Sequence, residues 1–214
     1  EGSSALIDCG LYESASGDIL WTLMLDTSGS APVNTITTYT YAVDGAGVAR
    51  ASMSGVLSVQ GQLAEDVIFT AKSIFIAGTS QLIRCDSGVS GEAYRLLTYG
   101  YTLSDWSTSG AKPLFVYEPR TASDIRRVKL YSTSESDVAE ATAREVNLPA
   151  SAVGYAACGG KLYVFTADEL TVYTAAGAVS AQYGLDFVCD GAVKLSEKCI
   201  AVSSNGSMKL ITLK

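Results

Sequence analysis

One unit recurs along this chain, and it is too small to fold alone. The stretch GKLYVFTADELTVYTAAGAVSAQYGL, residues 160–185, reads as three short strands joined by tight turns. With residues 153–158 before it, the unit has four strands in about 35 residues, bounded by glycines and other turn formers. A lone meander of this size cannot bury both of its faces. It needs stacked copies of itself.

Degenerate copies are present. EKCIAVSSNGSMKLITL, residues 197–213, repeats the second and third strands, with Asn205-Gly206 placed for a type I′ hairpin turn. Residues 66–99 supply four strands; residues 104–133 supply three and 142–149 the fourth. The central apolar strands start near positions 19, 73, 113, 161 and 198, spaced by about 54, 40, 48 and 37 residues. Uneven spacing with constant strand order indicates a fixed unit with loops of varying length. Four antiparallel strands per unit and almost no helix predict an all-β fold, a β-propeller of about five blades. The blades are residues 5–62, 63–100, 101–149, 150–185 and 186–214. A two-sheet sandwich, the competing architecture, leaves the recurring strand-turn-strand pair unexplained. The helix-like composition of 136–145 lacks an apolar face and reads as a polar hairpin extension.

Lettering the strands of a blade a to d from axis to rim, residues 5–13 form an a strand. The last blade has a (187–195), b (199–203) and c (208–213) but no d. Two readings stay open. One is a closed five-bladed ring with a three-stranded last blade. The other, which this count favours, is the C-terminal five blades of a seven- or eight-bladed propeller whose closing strand lies upstream of Glu1.

The motifs ALIDCGLYESASGDILWTLML, GVLSVQGQLAEDVIFTAKSIFIAGTSQLIRCDSG, GGKLYVFTADELTVYTAAG and LSEKCIAVSSNGSMKLI carry a resemblance in blade rhythm over nearly the whole chain. The chain resembles the C-terminal part of the membrane-anchored β-propeller proteins of Gram-positive gut anaerobes, a family classed as a domain of unknown function. The resemblance implies an anchored parent with further blades before this region and its propeller outside the cytoplasm. It implies no catalytic residues. The family's anchor and early blades are absent from this sequence.

Composition then narrows the chemistry. Net charge is −7 and charged residues are 17% of the chain, so a phosphate-binding surface of clustered Lys and Arg is not expected. The one basic cluster, Arg120, Arg126, Arg127 and Lys129, sits among Glu118, Asp124, Glu135 and Asp137 and reads as a solvated hairpin of mixed charge. No apolar run is long enough to insert in a membrane. With no histidine, Ser-His-Asp and Cys-His machinery and His-containing zinc sites are excluded. Cys9, Cys85, Cys158, Cys189 and Cys199 show no CxxC spacing and read as small buried residues, with a Cys189–Cys199 disulfide left open. No EF-hand, P-loop or dinucleotide fingerprint calls for a cofactor.

Function on a propeller sits in its end loops. Residues 99–106, YGYTLSDW, are the richest such loop. Tyr99, Tyr101, Asp105 and Trp106 there combine aromatic faces with a carboxylate, suited to stacking a sugar or gripping a peptide. The bland alternative packs Trp106 between the second and third blades. Asp186 and Asp190 flank the a strand of the last blade, as Glu65 and Asp66 mark the second. Such aspartates are ordinarily turn formers, though carboxylates converging at a channel mouth could serve as an acid/base pair or hold Ca²⁺. The sequence therefore points to a non-enzymatic binding or scaffold propeller with an unknown protein or cell-wall polymer as partner. The alternative is a glycan-active hydrolase, which requires two carboxylates about 5–10 Å apart.

Overall fold

The structure, a computed structural model, describes residues 3–13, 17–71, 73–86, 94–109, 112–121, 126–132 and 143–213. The chain divides into two compact units, Glu1–Tyr99 and Gly100–Lys214. Among the described residues there is no helix, so none long and apolar enough to cross a membrane.

In the first unit, β1 (Ser4–Tyr12), β2 (Ile19–Asp26), β3 (Val33–Val43) and β4 (Ala49–Gln60) form one antiparallel sheet in sequence order. A second follows from β5 (Ala64–Phe69), β6 (Ser73–Gly78), β7 (Gln81–Asp86) and β8 (Tyr94–Leu97). Period-two alternation makes this pairing productive. Trp21, Leu23 and Ile36 point from the first sheet onto Val67, Ile76 and Ile83 of the second. Asn34 ties the crossover between the sheets: its amide donates to the Gln62 carbonyl at 2.6 Å and its oxygen accepts from Ala64 N at 3.0 Å. It is buried, and those bonds make that burial tolerable.

The second unit has three sheets. They are β9 (Tyr101–Ser107), β10 (Leu114–Pro119), β11 (Arg127–Ser132), β12 (Ala143–Asn147); then β13 (Gly154–Cys158), β14 (Lys161–Phe165), β15 (Glu169–Thr174), β16 (Val179–Gly184); and last β17 (Gly191–Ser196), β18 (Cys199–Ser204), β19 (Ser207–Thr212). The middle sheet is covered on both faces, which explains why KLYVF is nearly all apolar rather than alternating. Leu162 and Val164 pack with Val116, Val128 and Leu130 of the sheet before. Phe165 and Tyr163 pack on the other side with Ile200 and Val202 of the sheet after.

Asn205 and Gly206 adopt φ of 48° and 75°, the left-handed pair that a type I′ turn needs. Two expectations are corrected, and the disulfide left open is answered. Residues 187–190 are not strand: β17 starts at Gly191, because Cys189 N is already bonded to the Ala167 carbonyl, and Phe187 lies under the Lys209 ammonium at 4.0 Å. All five cysteines are free, so Cys189 and Cys199 are not joined. Cys85, Cys158 and Cys189 are buried, but Cys9 is exposed. The polar hairpin read at 136–145 falls mostly outside the described residues; its last three residues open β12.

Candidate functional site

In the second unit, the first strands of the three sheets, β9, β13 and β17, run beside one another. Each has a sheet partner on one edge only. Their other edges carry backbone groups that need partners from elsewhere. Side chains reaching between sheets supply them, and the same side chains build an open groove of about 680 Å³.

Glu197, in the turn between β17 and β18, closes one end of these strands. Its carboxylate accepts from Ser107 Oγ at 2.6 Å, Ser109 Oγ at 2.8 Å, Thr108 N at 3.1 Å and Gly159 N at 3.1 Å. Lys194 Nζ donates to it at 2.7 Å and also to the Trp106 carbonyl. Gly159 and Gly160 have φ of 57° and 71°, so the β13–β14 turn is tight and presents two N–H groups. Gly159 N goes to Glu197, and Gly160 N to Ser107 Oγ at 2.9 Å. One carboxylate thus joins all three sheets. Burial alone would push its pKa up; the Lys194 ammonium and the two serine hydroxyls outweigh that and hold it at about 2.

Along the groove, Asp105 Oδ2 accepts from Ala157 N at 2.7 Å and its Oδ1 from Trp106 N at 2.7 Å. Burial raises the Asp105 pKa, and those two N–H groups and Lys194 work against the rise. The Tyr155 hydroxyl donates to Glu118 Oε1 at 2.6 Å and lies 2.8 Å from Ser104 Oγ. Burial, then the Glu118 bond, pushes this phenol well above its ordinary pKa. Arg126 stands over the Tyr155 ring at 5.9 Å and donates to the Ala152 carbonyl. Between these polar groups the groove wall is aliphatic: Val193 and Leu195 line it, each 56% exposed. Cys158 is buried in the core between the last two sheets, and burial chiefly raises its thiol to about 11.

The structure unites two of the residues singled out from sequence, Asp105 and Trp106, which both line the groove. They do so from strand β9, not from a loop, because residues 101–107 pair with β10. Tyr101 opens the same strand, and Lys129 Nζ occupies its ring face at 3.9 Å. Tyr99 belongs to the first unit and is exposed. Asp186 is exposed in a bend, and Asp190 Oδ2 accepts from Asn205 N at 2.7 Å, a loop-fastening role. Glu65 and Asp66 lie within β5 rather than at its mouth. The basic cluster is a mixed-charge hairpin: Arg127 pairs with Glu145 at 3.1 Å, while Asp124, Glu135 and Asp137 fall outside the described residues. Among the described residues, no three His, Cys, Asp or Glu side chains gather to hold a metal ion. Sequence reading missed Glu197, Lys194 and Tyr155. The available signal was position: Glu197 occupies the a–b turn that Gly159–Gly160 fills one blade earlier.

No family model and no curated protein matches the chain. Its fold does match solved structures. Kluyveromyces lactis Hsv2 with its complete loop 6CD aligns over 98% of this chain and 60% of its own, at 9% identity and a TM-score of 0.53. A second structure of Kluyveromyces lactis Hsv2 aligns over 98% of this chain and 75% of its own, at 10% identity and a TM-score of 0.51. The chain therefore spans less than two thirds of the first of these. Small sequential antiparallel meanders, packed face to face within each unit and superposing on Hsv2, make the fold of this chain a β-propeller.

Proposed function

We propose that this chain is a non-enzymatic binding propeller, and that the groove along β9, β13 and β17 takes a segment of a partner protein. By the family resemblance, its parent is membrane-anchored and displays it outside the cytoplasm. The observation that carries the binding role is the division of labour in the groove. Its acidic groups are engaged internally: Asp105 through both oxygens, Glu118 with Tyr155, Glu197 with five donors. What remains for a ligand is the exposed aliphatic wall at Val193 and Leu195 beside the aromatic Trp106 and Tyr155. Aliphatic and aromatic anchors rimmed by satisfied polar groups suit a peptide side chain. A glycosidase needs a carboxylate pair free to trade protons with substrate, and these carboxylates are held by N–H and O–H donors instead.

The test is selection of peptides from a random displayed library on the folded protein. Enriched peptides should carry aliphatic residues, and Leu195→Asp should weaken their binding at least tenfold, about 1.4 kcal/mol. Enrichment that ignores Leu195→Asp removes the groove from the proposal. Turnover of aryl glycosides that disappears in Asp105→Asn and Glu118→Gln establishes the hydrolase reading in its place.

A further inference from the structure

Within the first unit, the short crossover from β4 to β5 has its main chain well fastened. Gly61 N donates to the Pro32 carbonyl at 3.2 Å, Asn34 Nδ2 to the Gln62 carbonyl at 2.6 Å, and Thr79 N to the Leu63 carbonyl at 2.9 Å. Leu63 N reaches Thr79 Oγ1 at 3.4 Å, and Ala64 N reaches Asn34 Oδ1 at 3.0 Å. The exceptions are side chains. Gln62 is 3% exposed and Gln81 8%. Yet among the described residues Gln62 Nε2, Gln62 Oε1 and Gln81 Oε1 are buried with no hydrogen-bond partner. Burying an amide in that condition is costly.

The register brings these atoms together. Ala77 pairs with Leu82, so Gly78 and Gln81 face each other across the two-residue turn of Thr79 and Ser80. They share a side with Ile76 and Ile83, two residues along each strand, and that side packs on the first sheet. A Cβ on Gly78 would lie 2.5 Å from both Cδ and Oε1 of Gln62. The Gln62 amide therefore rests where a Gly78 side chain would be, beside Gln81. Gly78 is not one of the glycines with positive φ, so the turn itself does not call for glycine there. The amide does.

We infer that one buried water joins Gln62 to Gln81 and locks the β4–β5 crossover to the β6–β7 hairpin. The hydrogen-bond inventory selects water. The three atoms comprise one donor group and two acceptors. Water accepts an N–H from Gln62 Nε2, gives one hydrogen to Gln62 Oε1 and gives the other to Gln81 Oε1. The first two bonds close a ring on the edge of one amide, and the third crosses to the hairpin. A cation would leave Gln62 Nε2 unmet, an anion would leave both oxygens unmet, and an apolar occupant would meet none of the three. Buried waters ordinarily make about three bonds of this kind. The bridge stands beside the main-chain bond from Thr79 N to the Leu63 carbonyl, so hairpin and crossover are held at two points.

A crystal structure of the whole chain at about 1.6 Å or better should show one water about 2.7–3.2 Å from Gln62 Nε2, Gln62 Oε1 and Gln81 Oε1. In solution, cross-relaxation from water to the Gln62 side-chain N–H should carry the sign of a long-lived water. Gln62→Met then separates a wet site from a dry one by direction. With the water in place, the variant strands Gln81, and the melting temperature should fall by about 3–6 °C. At a dry site it removes two of the three unpartnered atoms, and the melting temperature rises. Adding Gln81→Met should recover at least half of the loss, since both ends of the bridge are then gone. A higher melting temperature for Gln62→Met overturns the inference. So does electron density with no water at the site, or a direct bond between the two amides.

Discussion

Replacing Glu197 with alanine is expected to destabilise the protein by about 3 kcal/mol and to lower its melting temperature by roughly 6–12 °C. Removing one partner of a hydrogen-bonded charge leaves the others unsatisfied. Here these are the Lys194 ammonium, the N–H groups of Thr108 and Gly159, and the hydroxyls of Ser107 and Ser109. Lys194 retains only the Trp106 carbonyl. The side chains of Lys194 and Glu197 are 19% and 26% exposed, so water recovers part of the loss, which keeps the estimate at the low end for a buried pair. Adding Lys194→Met to Glu197→Ala should restore stability in part, because the stranded ammonium is then gone.

The same residue makes a pH signature. Its folded pKa of about 2 lies below the ordinary 4.5, so its contribution is fully present above pH ~4.5 and is lost as pH falls toward about 2. A full shift of this size is worth about 3 kcal/mol, and solvent screening of a half-buried group reduces it to about 2. Other carboxylates titrate in this window too. The quantity to measure is therefore the difference in unfolding free energy between wild type and Glu197→Gln, by urea denaturation at several pH values. That difference should shrink steadily from pH 5 to pH 2. A constant difference, or a wild-type melting temperature for Glu197→Ala, would show that the three sheets are held without this carboxylate.

The meander was legible because strand identity is a local property. Period two in ELTVYT and a left-handed turn at Asn205-Gly206 need only a few residues to be recognised. The starts of the central strands, β2, β6, β10, β14 and β18, fall within one residue of the positions read from sequence. The groove was less legible. Asp105 and Trp106 stood out by residue type, but their placement on a strand depends on pairing with β10. Glu197 gave no local signal at all. Its donors lie in three segments, at 107–109, 159 and 194, and only the stacking of sheets brings them together. The side-chain rows of the first sheet needed register: Leu6, Thr22 and Val56 come to share one face only when the bulges in β1 and β4 are known. Residues at 187–190 misled because FVC is as apolar as a strand, yet it serves as a packed connection.

Gly154 is the other position where a small change should have a large effect. It opens β13, and a Cβ there would lie 2.7 Å from Ala192 N, 3.0 Å from Ala192 O and 3.3 Å from Ala192 Cα. All three are backbone atoms of β17, so no side chain can swing aside. Two opposing effects bear on Gly154→Ala. Lower entropy of the unfolded chain favours alanine by about 0.4–1 kcal/mol. Overpacking against backbone costs about 1–3 kcal/mol, and here it falls on a main-chain contact. The steric effect wins: the net loss should be about 1–2 kcal/mol for alanine and about 3 kcal/mol for valine. The strain acts on the spacing of β13 and β17, which is also the spacing of the groove walls. Gly154→Val should therefore weaken peptide binding at the groove as well as stability. Gly159 lies at the opposite end of β13, about 17 Å along an extended strand, so the Glu197 clamp should be spared. The losses from Gly154→Val and Glu197→Gln should then add within about 0.5 kcal/mol in urea denaturation. A Gly154→Ala protein that melts with wild type would mean that β17 yields freely at Ala192, and strong non-additivity would mean that the two ends of the groove move as one.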